Sequence, residues 1–186
     1  MGKSTVAKMF AKAGLPVFDA DAEVHRLQGP GGGLAHLIEK RFPGSTRGGS
    51  VDREALSLHV LGKPDGFAAL EAIVHPAVQA ARRKFEQDHD GAAALLFEIP
   101  LLFETYGQTG FDKIVVVSAP EDVQRARVLA RPGMTPAKLE AILERQMPDA
   151  EKRSHADFVV NTGGDLSTVQ AQVDSILTCL GLSTGR

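Results

Sequence analysis

Residues 1–14 read MGKSTVAKMFAKAG. Gly2, Lys3, Ser4 and Thr5 form the closing half of a phosphate-binding loop, whose full pattern G-x-x-x-x-G-K-[ST] follows a buried strand and opens a helix. In such a loop glycine lets the backbone approach phosphate, and the amides at the helix start donate to it. The lysine reaches the outer phosphates, and the first hydroxyl residue, here Ser4, takes Mg²⁺. In isolation GKST is an ordinary polar terminus. The neighbouring residues decide between the readings: Val6, Met9, Phe10 and Ala13 recur at helical spacing, and a strand comes next. The first glycine, three of the four intervening residues and the strand of the full pattern lie outside the chain.

Working outward, LPVFDAD (residues 15–21) reads as a short strand ending in two carboxylates, Asp19 and Asp21. AAALLFEIP (92–100), KIVVVSAP (113–120) and DFVVNTG (157–163) read as further strands. These runs are continuously apolar and rich in β-branched residues, as a parallel sheet buried on both faces requires. Helical stretches separate them: EDVQRARVLAR (121–131), TPAKLEAILERQ (135–146) and DLSTVQAQVDSILTCLG (165–181). Thr135 with Pro136 reads as an N-cap and first helical position, and Asp165 as the cap of the last helix. Strands alternating with helices imply an α/β three-layer fold with a parallel sheet. Between residues 29 and 90 no strong strand is evident, only helical patches punctuated by GPGGG and FPGSTRGGS. The expected organisation is a core of residues 1–28 and 91–186, with a helical insertion at 29–90.

Composition narrows the chemistry. The chain has 186 residues and a net charge of −2, so no global basic field marks a nucleic-acid partner, and an anionic ligand must be held by local arginines and backbone amides. No apolar run approaches the about 20 residues of a membrane span, and the N-terminus lacks the apolar region of a signal peptide. The single cysteine, Cys179, cannot close an internal disulfide; it reads as a small hydrophobe of the last helix in a cytoplasmic protein. The six histidines show no metal-ligand spacing, so no structural zinc is expected. Nothing in the sequence specifies an oligomeric state.

Beyond the loop, several residues carry candidate chemistry. Ligands of open parallel sheets bind outside the carboxyl ends of the strands. There Asp19 or Asp21 has the means to accept a proton from an attacking hydroxyl or to hold Mg²⁺ through water; the bland alternative is a turn or helix cap. Arg125, Arg127, Arg131, Arg145 and Arg153 read either as a solvated helical face or as a mobile lid, about 125–153, broken at ARPGMTP. Lid arginines close over a transferring phosphoryl group, neutralise its charge and exclude water. Asn161-Thr162-Gly163 ends the last strand and faces a base or makes a turn. His75, before Pro76, caps a helix or contacts a ligand.

These pieces occur in an order that resembles the dephospho-CoA kinases, P-loop kinases related to the nucleoside monophosphate kinases. The matching segments are GKST, VFDAD, His75-Pro76, IPLLFE (99–104), RARVLAR, Arg145-Gln146 and ADFVVNTG, running from Gly2 to about Leu180. DAD together with PLLFE separates the pattern from adenylate, shikimate and gluconate kinases. The resemblance implies transfer of the ATP γ-phosphoryl group to the ribose 3′-hydroxyl of dephospho-CoA, the last step of coenzyme A synthesis. It implies Asp21 as general base or hydroxyl-orienting group with Asp19 beside it, and Lys3 and Ser4 on the phosphates and Mg²⁺. Arg127 and Arg131 then belong to the lid, with Arg127 also on ATP, and Asn161 to the adenine side. The helical insertion becomes the CoA-substrate part, with His75 on its substrate side. Two other readings stand beside this one: a different small-molecule P-loop kinase, and a non-catalytic fragment that binds nucleotide weakly.

Members of that family carry a strand and glycine-rich turn, about ten residues, before the position of Met1. Such a strand is central in the fold. Its loss removes about four or five buried aliphatic side chains at about 1.5–3 kcal/mol each, which is comparable with the about 5–15 kcal/mol stability of a whole domain. The expectation is that Met1 is an internal methionine of a GMGKST loop, and that the 186-residue chain is impaired. A paired assay on dephospho-CoA, of this chain and of one extended by its upstream codons, is expected to show activity in the extended chain alone. Full activity in the 186-residue chain would refute the internal start.

Overall fold

A computed structural model describes residues 2–106, 109–144 and 146–182. In chain order the elements are α1 (Lys3–Lys12), β1 (Val17–Asp19), α2 (Ala20–Gln28), α3 (Gly33–Arg41), β2 (Thr46–Arg47), β3 (Ser50–Val51), α4 (Arg53–Val60), α5 (Pro64–Asp88), β4 (Leu96–Glu98), a π-helix (Leu102–Tyr106), β5 (Val115–Ser118), α6 (Glu121–Leu129), α7 (Pro136–Leu143), α8 (Asp149–Ser154), β6 (Phe158–Asn161) and α9 (Leu166–Cys179). The α/β class is the one the alternating pattern implies. Among the described residues the strands pair two by two: β1 with β4, β2 with β3, and β5 with β6. The apolar run at 92–100 yields a strand of only three residues, since β4 pairs with a β1 that is itself three residues long and a ladder ends with its partner.

The chain divides into two compact units, residues 1–17 with 98–186, and residues 18–97. In the first, β5 and β6 run parallel with Val115, Val116, Val117 and Ser118 opposite Phe158, Val159, Val160 and Asn161. Helix α9 packs on β6 and on α1. It buries Val169, Val173, Ile176 and Leu177, the spacing of one helical face, while α1 buries Val6, Ala7 and Phe10. Thr135 and Asp165 cap α7 and α9 by accepting the Lys138 and Thr168 amides, as their positions imply. Cys179, expected among the apolar contacts, is instead exposed at the end of α9, because the buried stripe ends on Ile176 and Leu177.

The return segment from α7 to α8 is pinned by charge. Lys152, 8% exposed, lies 2.7 Å from Glu104 Oε1, and the same carboxylate accepts the Met147 amide at 2.9 Å. Burial pushes the Glu104 carboxyl up, but the hydrogen bonds from Lys152 and the Met147 N–H outweigh it and hold the group below the usual carboxylate range. Ser118 Oγ donates to Asp149 Oδ2 at 2.7 Å and ties the N-terminus of α8 to the end of β5.

The second unit is mainly helical. Leu34, Ile38, Phe42 and Leu56 form its core, closed by Ile73 and Val74 of α5 and by Val51. A second apolar group joins Phe18, Phe85 and Phe97, with ring centroids 5.4 to 5.9 Å apart. The glycine-rich stretch read as loose punctuation contains a small antiparallel hairpin, β2–β3, pairing Thr46 with Val51. Gly48 and Gly49, at φ of 59° and 79°, supply the double left-handed turn that suits the twist of a two-residue hairpin.

This packing sets two expectations for stability. Ile38, fully buried, is expected to cost about 2–5 kcal/mol on change to alanine in a urea titration. For Glu104, a carboxyl held below its unfolded value contributes stability above that value, and the contribution is lost as pH falls through the folded value. Glu104→Gln is therefore expected to flatten the acid limb of the stability curve below about pH 4.5 and to lower stability at neutral pH. An acid limb identical to that of the parent chain would refute it.

Candidate active site

Gly2 is the N-cap of α1, at φ 82°, a left-handed conformation that glycine adopts without strain. Its carbonyl accepts the Thr5 and Val6 amides at 3.1 Å. No side chain caps the helix and no acid occupies its first turn, so this helix start keeps a positive end that favours an anion. The Lys3 side chain has no partner among the described residues. Ser4 Oγ donates to Glu98 Oε1 at 2.8 Å, which joins the helix start to the end of β4. Sequence reading passed over Glu98. Its signal was a carboxylate closing the apolar run of β4, the same signal that singled out Asp19 and Asp21.

Beside the helix start, Gly2, Thr5, Arg127, Thr162, Leu166 and Val169 line a cavity of about 240 Å³. Thr162, 6% exposed, donates through Oγ1 to the Ser118 carbonyl at 3.0 Å, and its amide donates to the same oxygen at 2.8 Å. Arg127, in the last turn of α6, donates from Nη2 to the Thr162 carbonyl at 2.9 Å and from Nη1 to its hydroxyl at 3.3 Å. Arg131 is exposed, without a side-chain partner among the described residues, in the break between α6 and α7. Arg125 pairs with Glu140 of α7 at 2.7 Å. Arg145 lies outside the described residues.

Asn161 is exposed and does not line the cavity. Its Oδ1 accepts the Gly163 amide at 2.8 Å, the turn alternative left open by the sequence. Gln172 of α9 brackets its backbone, accepting the Asn161 amide at 2.8 Å and donating to its carbonyl at 3.0 Å. The structure thus gathers Gly2, Thr5 and Arg127 around one cavity, places Ser4 against Glu98, and sets Asn161 at its turn.

Asp19, Asp21 and His75 belong to the second unit. Asp19 ends β1 and caps α2, its Oδ1 accepting the Ala22 amide at 2.9 Å. Asp21 falls one step later than expected, in the first turn of α2 instead of the strand end, since the cap at Asp19 starts the helix. Its side chain is exposed and its carbonyl faces His25 Nδ1 at 2.9 Å. Both carboxylates therefore sit at the N-terminal end of a helix. His75 is half-buried within α5, so it is not a helix cap: α5 runs unbroken past it, even through Pro76.

The chain resembles known proteins over most of its length. A family model described as dephospho-CoA kinase matches residues 1–168. The dephospho-CoA kinase of Brucella melitensis is 53% identical over 182 residues, covering 97% of this chain and 90% of that protein. That of Novosphingobium aromaticivorans is 51% identical over 180 residues, with 97% and 90% covered. Among solved structures, TT1252 from Thermus thermophilus superposes with a TM-score of 0.82 at 34% identity, over 96% of this chain and 92% of its own. The dephospho-CoA kinase from Campylobacter jejuni shares the fold, at a TM-score of 0.64 and 23% identity over 99% of this chain and 93% of its own. The chain therefore belongs to the dephospho-CoA kinase family.

Proposed function

We propose that this chain transfers the γ-phosphoryl group of ATP to the ribose 3′-hydroxyl of dephospho-CoA, giving coenzyme A and ADP. The observation that carries the reading is the uncapped start of α1, with Gly2 in the left-handed conformation, Lys3 free of protein partners among the described residues and Ser4 against Glu98, in a chain of this family. Phosphoryl transfer asks little covalent chemistry of a protein. It asks for positioned phosphates, neutralised charge and an oriented acceptor.

Gly2, Ser4 and Thr5 offer amides and hydroxyls to the phosphates, and Lys3 supplies a point charge where negative charge shifts to the leaving oxygen. Ser4 Oγ and Glu98 Oε1, 2.8 Å apart, are hard oxygen donors of the kind Mg²⁺ takes in ones and twos beside phosphate oxygens, so the donor set fits the ion. When bound, Mg²⁺ supplies Lewis-acid neutralisation of the phosphate oxygens. Asp21, with Asp19 beside it, orients the acceptor hydroxyl and takes its proton as the new P–O bond forms; the bond to the bridging oxygen of ADP breaks. The segment 29–90, with His75, holds the CoA acceptor, and 125–153 is the lid that carries Arg131. Asn161 lies on the adenine side.

No described helix is long and apolar enough to cross a membrane. The free, exposed Cys179 suits a reducing compartment, and we place the reaction in the cytoplasm.

Mass analysis of the acceptor after incubation of the chain, extended by its upstream codons, with ATP, Mg²⁺ and dephospho-CoA is expected to show one added phosphate. Phosphate transfer to a competing acceptor, with none to dephospho-CoA, would overturn the assignment. Asp21→Asn is expected to lower kcat by about 10²–10⁴-fold while the KM for ATP stays within about threefold. Lys3→Ala is expected to lower kcat by about a hundredfold or more. Unchanged turnover in Asp21→Asn would remove Asp21 from the mechanism.

A further inference from the structure

We propose that Thr162 is a positioning residue whose hydroxyl fixes the Arg127 guanidinium as a wall of the nucleotide cavity, leaving the lid function to other arginines. The proposal rests on the kinase reading above, and it adds a residue and a division of labour to it.

A threonine hydroxyl has one proton to give and lone pairs to accept with. At Thr162 the proton goes to the Ser118 carbonyl, 3.0 Å away, which turns the lone pairs toward Arg127 Nη1 at 3.3 Å. The Thr162 carbonyl takes Nη2 at 2.9 Å. Two contacts from one planar guanidinium to one residue define its plane, which a single contact would not. The anchor is firm, because Thr162 is buried and its amide is also bonded to Ser118.

Arg127 needs such an anchor. Helix α6 has half-buried side chains but none fully buried, so packing holds it loosely, and the Arg125–Glu140 pair ties it to α7, on the lid side. Arg127 itself remains exposed after both contacts, with a face open to the cavity. Thr162 also borders the phosphate loop: its Cγ2 lies 3.5 Å from the position a Cβ would take at Gly2. One buried residue therefore touches both the helix start and the arginine wall. Arg131, without a side-chain partner among the described residues, has no comparable anchor and follows the lid.

Thr162→Val is the decisive variant. It keeps shape and removes the hydroxyl, and the Ser118 carbonyl keeps the Thr162 amide as a donor, so the core stays satisfied. The KM for ATP and the Kd for ATP-Mg²⁺ by calorimetry are expected to rise about three- to tenfold with little change in kcat. Thr162→Ser, which keeps the hydroxyl, is expected to restore most of the affinity. In an Arg127→Ala background Thr162→Val is expected to add nothing further, since the two act as one unit. An unchanged KM with a lowered Tm, an equal loss in Thr162→Ser, or full additivity with Arg127→Ala would each overturn the proposal. If the chain extended by its upstream codons binds ATP but phosphorylates no dephospho-CoA, the kinase assignment fails instead, and the calorimetric arm still decides the role of Thr162.

Discussion

The parallel register of β5 and β6 is the constraint on which the nucleotide side of the molecule rests. Pairing Ser118 with Asn161 brings the carboxyl ends of both strands to one edge. From that edge the Ser118 carbonyl binds Thr162 and its hydroxyl binds Asp149, while Thr162 receives Arg127. A slip of β6 by one residue would turn Val160, fully buried, out of the apolar layer, because side chains alternate along a strand. The register is thus held by burial on one side and by polar bonds at its end.

Charge in this unit is used with two different exposures. Glu104 and Lys152 are nearly buried, and their pairing is a geometric commitment that holds the segment leading into α8. Removal of either partner leaves a charge in a poor solvent, which costs far more than the intact pair contributes. The Arg125–Glu140 pair on α6 and α7 is exposed and worth little in stability. The stretch from α6 to α8 is thus firmly held at Lys152 and loosely held between α6 and α7.

Of the candidate site, the residues legible from sequence were those whose chemistry is carried by neighbours in the chain. Gly2, Lys3, Ser4 and Thr5 formed a recognisable loop because glycine, lysine and hydroxyl must be adjacent at a helix start. Thr135 and Asp165 were legible as caps for the same local reason. Asp21 was misplaced by one element, since a strand and the first helical turn after it differ only in where a cap forms. Glu98 and the anchoring role of Thr162 were missed: each acts across a long stretch of chain, on Ser4 and on Arg127.

By itself the sequence determined the α/β class, the positive helix start with its lysine, the order of motifs that places the chain in its family, and the caps of two late helices. These depend on periodicity, on backbone conformation and on residues a few positions apart. Tertiary structure alone decided that Glu98 meets Ser4, that Lys152 is buried on Glu104, and that Thr162 rather than Asn161 holds the arginine. Those outcomes turn on which elements the fold brings side by side. Hydrogen bonds of about 3 Å between distant residues leave no periodic trace in the chain that makes them.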